Sequence, residues 1–384
     1  MIRQLGAMAT AGLAMLALLP LPSAALAAQG VTPAEQQRSA LIARTMASLV
    51  TLTATIQPEV RAPRPLAGVK KRECAHFPDA RWDDASKTCA LVADPVPRRA
   101  QREVGSGFLI DGALGLVLTA PHIVGKGDLT ARLPDGRTVA AERLAADSDV
   151  GLAVVRIAPQ EVARARMVAL RVADTPPEVG HDVVLVGRSV PLDSAIGIGG
   201  QVIGAMGADN VFDTDTNGMP MPVIAPQFLL NIRLPDGSLG GAPVLDSSGT
   251  ATGLILAMLG PRGDNILTMM VGLADQKDRI ADLAQGRTRE RAWLGVHIDC
   301  PERRCAITHI LPETPAAVAG LQKGDVLTAA NGMPVNSQFA LRRIVRTAPP
   351  GTAFTLTLLR DGRAIPDVDV TSVEMRESPG AAAD

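Results

Sequence analysis

From Glu103 onward the apolar positions come in short runs separated by turn residues, in the order GSGFLID, LGLVLTA, DLTARL, RTVAAERL and GLAVVRIA, with Pro134-Asp135-Gly136 as one of the turns. Further runs rich in β-branched or apolar residues follow at Met167 to Val172, Asp182 to Val186, Ala195 to Gly204, Phe228 to Leu234 and Ile266 to Val271. Strands at such short spacing predict an all-β barrel or sandwich. Helical spacing is rare. Thr32-Pro33-Ala34-Glu35 combines a capping residue, a proline at the first helical position and an acid three places on, which predicts a helix start. Ala40, Leu41, Ala43 and Met46 give that helix an apolar side before the run Val50 to Ile56 takes over as a strand. A second helix is expected from Asp275 to Gln285, with Ile280 and Leu283 inward.

Ahead of these elements, residues 1 to 27 join Arg3 to an apolar run from Gly6 to Leu21 and the small-residue end Ala25-Leu26-Ala27. That is the pattern of a secretory signal peptide cleaved before Ala28. The competing reading, an uncleaved anchor, is opposed by a short run broken at Pro20 and Pro22. No later stretch is long and apolar enough to span a bilayer. At 384 residues with a net charge of -1, the chain has room for two or three domains and no general attraction to nucleic acid. Base-stacking platforms are excluded by the scarcity of aromatics, which include no tyrosine and only Trp82 and Trp293 as tryptophans.

Four cysteines fit an oxidising compartment, the bacterial periplasm in this reading. A Cys74–Cys89 bridge closes a loop, and Cys300 lies close enough to Cys305 to staple a hairpin. His297, Cys300, Cys305 and His309 also match a zinc spacing, but an exported hairpin disulfide accounts for the cysteines without the histidines. Metal and cofactor are therefore expected to be absent, and no phosphate-cradling glycine loop is present. Residues 57 to 102, rich in proline and basic side chains, read as a long loop around the first bridge.

The stretch from Asp236 to Leu256, DGSLGGAPVLDSSGTATGLIL, places two strands around a glycine turn. An acyl-transfer enzyme presents a serine on such a turn, with neighbouring backbone N–H groups aimed at the oxyanion. Anchored on Pro243, Gly249 and Gly253, the stretch resembles the GNSGGP nucleophile loop of the HtrA/DegP family of trypsin-like proteases. The match sets Gly240 at the catalytic serine. Sliding it by one, from Gly237, sets Leu239 there instead, and only Ser238 offers a hydroxyl nearby. Gly105-Ser106-Gly107-Phe108 through Thr119-Ala120-Pro121-His122-Ile123-Val124 is similar to the family's GSGFII…TNNHVV, which gives His122 the place of the general base. Asp147-Ser148-Asp149-Val150-Gly151-Leu152-Ala153-Val154 matches the segment that carries the orienting acid, and puts Gly151 on it. Asp149 is two residues away, roughly 6.6 Å along an extended chain, and is expected to be a solvated turn acid.

Residues 292 to 373 resemble an HtrA-type PDZ domain along their length, through Trp293-Leu294-Gly295-Val296, Thr314 to Leu321, Lys323-Gly324-Asp325-Val326-Leu327, Asn331-Gly332, Pro350-Gly351-Thr352 and Leu359-Arg360-Asp361-Gly362. The resemblance implies a peptide added as a strand, its terminal carboxylate caught by the loop Trp293, Leu294, Gly295, Val296, with Leu341, Ile344 and Val345 forming the side of the groove or simply its core. The expected organisation is a mainly β chain: signal peptide 1–27, helix and first strand 28–56, basic loop 57–102, two-barrel trypsin-like domain 103–286, PDZ domain 292–373 and tail 374–384. The charged run Gly286-Arg287-Thr288-Arg289-Glu290-Arg291 is the boundary before the PDZ domain.

With glycine at two of three triad places, the expected function is non-catalytic: a chaperone, sensor or adaptor holding unfolded polypeptides or protein C-termini, with an active protease paralogue as a further partner. The alternative is an active endopeptidase using Ser238 with His122. The family's trimer uses aromatic residues near the mature N-terminus. A homo-oligomer is open here, because the first aromatic residue is Phe77.

Overall fold

The computed structural model describes residues 32–56, 64–66, 71–74, 80–83, 86–91, 101–125, 127–206, 222, 224–259 and 267–374. The expected leader lies outside these residues, as do the expected tail beyond Glu374 and most of the loop 57–102. Helix α1 (Pro33–Thr45) begins as expected, with the Thr32 side chain and Glu35 forming a reciprocal capping box. It leads into β1 (Leu49–Ile56). Three short strands, β2 (Arg64–Leu66), β3 (Ala80–Asp83) and β4 (Thr88–Leu91), form a small sheet, and the helix α2 (Lys71–Cys74) is bridged to it by the Cys74–Cys89 disulfide.

The first closed barrel contains β1 with β5 (Gln101–Asp111), β6 (Leu116–Thr119), β7 (Asp128–Arg132), β8 (Thr138–Asp147) and β9 (Leu152–Ile157), in the spatial order β1-β5-β6-β9-β8-β7. Helix α3 (Pro159–Arg164) starts the crossing to the second barrel. That barrel joins β10 (Asp182–Ser189), β11 (Ser194–Ala205), β12 (Gln227–Leu230), β13 (Pro243–Leu245), β14 (Ala251–Leu259) and β15 (Leu267–Gly272) in the order β10-β11-β12-β15-β14-β13. Closure leaves neither sheet with an unpaired edge. The expected strand Met167 to Val172 does not form. Its backbone spends its hydrogen bonds singly, Val168 donating to Ala47, Leu170 to Leu109, and Val172 forming an isolated bridge with Ala251, so it runs as a strap between the barrels. The strand expected to reach Leu234 ends at Leu230.

Helix α1 crosses to the second barrel although it precedes the first strand of the first. Ile42 lies over Gly197, Arg38 lies over Gly199, and the Arg44 guanidinium donates to the Ser248 carbonyl at 2.8 Å. The exposed side of β11 is kept low by glycine at these positions, and the helix occupies the space a Cβ would take.

Helix α4 (Lys277–Ala284) follows a 3-10 turn, with Ile280 and Leu283 buried as expected. The C-terminal domain pairs β16 (Ala292–Trp293) with β24 (Val373–Glu374). Its main sheet runs β17 (Val296–Asp299), β18 (Cys305–Ile310), β19 (Val326–Ala330), β21 (Ala353–Arg360), β22 (Arg363–Ala364), with β20 (Met333–Pro334) on β19 and β23 (Val368–Thr371) on β21. Helices α5 (Pro315–Val318) and α6 (Gln338–Arg346) complete it. Among the described residues no helix is long and apolar enough to cross a membrane.

Candidate active site and peptide groove

The site lies where the barrels meet, on three loops. His122 is carried by the 3-10 turn Pro121–Val124 at the end of β6 and is anchored by Ile123, which is 1% exposed. The turn facing it belongs to the second barrel. It is stitched to β5 by Ser106, whose N–H donates to the Gly240 carbonyl at 2.7 Å and whose hydroxyl donates to the Ser238 carbonyl at 2.9 Å. Thr119 holds Ser106 in turn, donating to its carbonyl at 2.7 Å.

These bonds fix which residue opposes the imidazole. A Cβ built on Gly240 would lie 3.0 Å from His122 Nε2, so a side chain at position 240, and not Leu239, would meet the base. Leu239 is fully buried in the second barrel's core. Ser238 is 7% exposed and its hydroxyl is engaged elsewhere, donating to Asp236 and accepting from the Val190 N–H at 3.0 Å. Asp236 also accepts from Ser189, forming a closed Ser-Asp-Ser network, and these hydrogen bonds hold its carboxyl below the ordinary carboxylate range against the upward push of burial.

In a working acyl-transfer site of this fold, the oxyanion is held by the backbone N–H of the nucleophile and of the residue two before it. Here those donors are Ser238 and Gly240. The Ser238 N–H donates to Asp236 Oδ1 at 2.8 Å, and the Gly240 N–H donates to the Gly237 carbonyl at 3.1 Å. The loop fills its own anion site, in the 3-10 turn Gly237–Leu239 that Asp236 caps.

Gly151 occupies the third loop in a different state. Its φ is +78, and a Cβ there would fall 2.8 Å from Pro222 Cγ and 2.9 Å from Val271 Cγ2, with Leu256 next nearest. The conformation is one that L side chains rarely adopt, and the surroundings are apolar. The atoms nearest that position are apolar carbons and not carboxylate oxygens.

The nearest carboxylates of the loop face the other way. Asp149 is 5% exposed, a correction to its expected place as a solvated turn acid. It accepts from Arg291 at 3.0 Å, from Arg346 at 2.7 Å and from Arg342 at 3.2 Å. Arg291 also donates to Asp147 at 2.7 Å. Burial pushes the Asp149 carboxyl up, but Arg346, Arg291 and Arg342 together outweigh it and hold it below the ordinary range. For Arg291, burial works against the charge and the two aspartates more than restore it. None of these arginines was singled out in the sequence beyond the boundary run containing Arg291. The signal available was the i, i+4 pair Arg342 and Arg346 on one helix face.

In the C-terminal domain the loop Trp293 to Val296 connects β16 to β17, which is the edge strand of its sheet. Leu294 is buried, and its carbonyl and that of Gly295 accept from Ala316 and Leu311, both at 3.0 Å. Leu341, Ile344 and Val345 are 6–7% exposed and packed in the domain's core, so of the two roles open to them the structure gives them the core. The cysteines pair as Cys74–Cys89 and Cys300–Cys305. With its sulfurs bonded to each other, the second pair supplies no thiolate for a metal, and the His297 and His309 rings face each other across β17 and β18 with centroids 6.1 Å apart.

The trypsin-like peptidase domain profile matches residues 105–254 and the PDZ domain profile residues 292–370. The putative serine protease HhoA of Synechocystis is 30% identical over 309 residues, covering 73% of this chain and 74% of HhoA. The chain belongs to the HtrA family of trypsin-like proteins with one PDZ domain. Periplasmic serine endoprotease DegP of Escherichia coli K12 is 29% identical over 283 residues, 68% of this chain. The chain spans about half the length of that relative, the match covering 55% of it. Among solved structures, the HtrA-type protease AlgW with decapeptide aligns at a TM-score of 0.57 and 15% identity, over 89% of this chain and 99% of that one. The serine endoprotease from Yersinia pestis aligns at 0.55 and 17%, over 88% and 98%. These two agree with the fold.

Proposed function

We propose that this HtrA-family chain is a non-catalytic binder of unfolded polypeptides or protein C-termini, a chaperone, sensor or adaptor of protein quality control in the periplasm. The observation that carries the reading is the state of the nucleophile loop. His122 faces a glycine across a gap where a serine would belong, and both oxyanion donors are hydrogen-bonded within the loop. Loss of the serine from such a triad costs on the order of 10⁶ in turnover, and an anion site filled by its own loop lowers the remaining background further. Ser238 acting as nucleophile would have to leave both Asp236 and the Val190 N–H. The PDZ fold, with β17 at its edge, keeps a route for peptide capture by strand addition. The compartment rests on the leader pattern, the two disulfides and the periplasmic relatives.

The test is cleavage of an unfolded casein-type substrate by the purified full chain beside Ser238→Ala and His122→Ala. The expected result is no turnover in any form, together with suppressed aggregation of a denatured client. Turnover by the parent chain that both substitutions abolish would overturn the reading.

A further inference from the structure

His297 and His309 are directly opposed in the register of β17 and β18, and both are exposed. Ile298 and Ile307, the next pair along, turn inward to the domain core. The sheet ends at β17, and β18 pairs with β19 only through Cys305 and Ala306. Among the described residues, the stretch of hairpin that carries the histidines thus has no third strand beside it. Neither imidazole is spent on another partner. Among the described residues no hydrogen bond or ion pair reaches either ring, and the two face each other with centroids 6.1 Å apart and planes inclined at 47°.

The Cys300–Cys305 disulfide accounts for the thiols of this segment and leaves the imidazoles without a role. Residues directly opposite on antiparallel strands hold their Cβ atoms about 4.5–5.5 Å apart, close enough for two imidazoles to share one ion. With metal–nitrogen bonds of about 2.0–2.1 Å, two imidazoles bound at the tetrahedral angle place their ring centroids about 5 Å apart. The observed 6.1 Å is wider by about an ångström, a gap that rotation of two exposed rings about their broad terminal torsions closes. Asp299, two residues along β17 and also exposed, adds negative charge beside them, its carboxylate accepting from the Cys300 N–H at 2.9 Å. Among the described residues no third His, Cys, Asp or Glu completes a cluster of three, so water would fill the remaining positions around an ion.

We propose that His297 and His309 form a two-histidine site for a divalent transition-metal ion on the β17–β18 hairpin, with Cu²⁺ held more tightly than Zn²⁺. Imidazole suits both ions, and Cu²⁺ leads the order of affinity. The ion would join the two strands at the open end of the hairpin, as the Cys300–Cys305 bridge joins them at the turn. Edge strand β17 is then fastened to its neighbour at both ends, and its register is fixed across the irregularity between His297 and Ile298. The site is independent of peptide capture and of the nucleophile loop.

The experiment uses the full chain, expressed without a histidine tag and kept under non-reducing conditions. Cu²⁺ is titrated while electron paramagnetic resonance counts the coordinated imidazoles. No free thiol competes, since all four cysteines are paired. The parent is expected to bind one ion through two imidazoles. Because the second imidazole binds intramolecularly, His297→Gln and His309→Gln are each expected to weaken binding by about 10²-fold and to leave at most one imidazole on the ion. His181→Gln removes another exposed histidine and is expected to change neither quantity. Zn²⁺ is expected to compete for the same site at higher concentration and to raise the melting temperature of the parent, a shift absent from both hairpin variants. Cu²⁺ bound with unchanged affinity and imidazole count in both variants would put the ion elsewhere and overturn the proposal. A single imidazole on the ion in the parent, or no binding with metal in excess, would reduce the pair to a ring contact and overturn it as well. Should a variant fail to fold, the imidazole count of the parent alone decides.

Discussion

The two loops that in a working triad carry the nucleophile and the acid both carry glycine here, but the losses differ in kind. Gly240 has ordinary extended backbone, φ -52 and ψ 136, with the imidazole in front of it. Only a hydroxymethyl group is missing from that place. Gly151 has a left-handed φ, and apolar atoms of Pro222, Val271 and Leu256 fill the space its side chain would need. Its loop has meanwhile been committed to another use, since Asp147 and Asp149 on the same turn form the ionic centre of the domain contact. One loop has a backbone that would take a side chain but keeps its N–H donors to itself, whereas the other has no room for a side chain. A side chain introduced at position 240 would meet suitable backbone, whereas one at position 151 would meet strain and apolar atoms.

The sharpest way to break this comparison is at Arg291. Arg291→Ala leaves buried Asp147 without that guanidinium and Asp149 with the partly exposed Arg342 and Arg346, and is expected to cost about 3–5 kcal/mol, read by denaturant unfolding. A loss under about 1 kcal/mol would mean that the acid loop is not organised around the ion pair. Gly151→Asp comes next. Strain at a positive φ costs about 1–3 kcal/mol, and the clash with Pro222 and Val271 together with burial of a carboxylate among apolar groups adds to it. The variant should unfold well before the parent, and equal melting would show that the loop can still receive its acid.

Smaller effects are expected at the other loop. Ser238→Ala removes a donor to Asp236 and an acceptor for Val190, for a loss of about 1–2 kcal/mol in denaturant unfolding. Gly240→Ser should change stability by less than about 1 kcal/mol, because the backbone is already suited to serine and His122 need yield only slightly. It should shift the His122 imidazole resonances and still give no labelling by a serine-directed fluorophosphonate, since the oxyanion donors are engaged. Labelling in Gly240→Ser would show that Ser238 and Gly240 release those donors on demand.

The smallest change expected is with pH above about 5. Asp149 has its carboxyl held low by Arg346, Arg291 and Arg342, and the other charged groups about Arg291 are Asp147 and Arg279. A carboxyl with a depressed folded value contributes stability that is fully present above its unfolded value, about 3.9, and is lost as the pH falls through the lower folded one. Domain docking should hold from neutral pH to about 5 and fail only in stronger acid, which small-angle X-ray scattering by the full chain would follow.

The barrels were legible in the sequence because their strands are short apolar runs bounded by turn residues, and the PDZ domain because several short motifs occur in order. The strap Met167 to Val172 was misread as a strand because an apolar run packed between two barrels has the same composition as one paired in a sheet. His122 and Gly240 could be placed by motif spacing. The ion cluster could not. Asp149 looks like any turn acid, and its burial depends on Arg342 and Arg346, nearly two hundred residues away, arriving by tertiary docking. The closed oxyanion donors were likewise hidden, since they depend on the Asp236 carboxylate turning back onto its own loop.

Helix α1 sets an order on assembly. Its Arg44 bonds a carbonyl 204 residues downstream, and Ile42 and Arg38 rest on β11. The first described helix completes its seat only after more than half of the chain has followed. Until then its apolar side has no native surface to cover, so the earliest described part of the molecule is among the last to become native, and a truncated product lacking the second barrel would display that helix unburied.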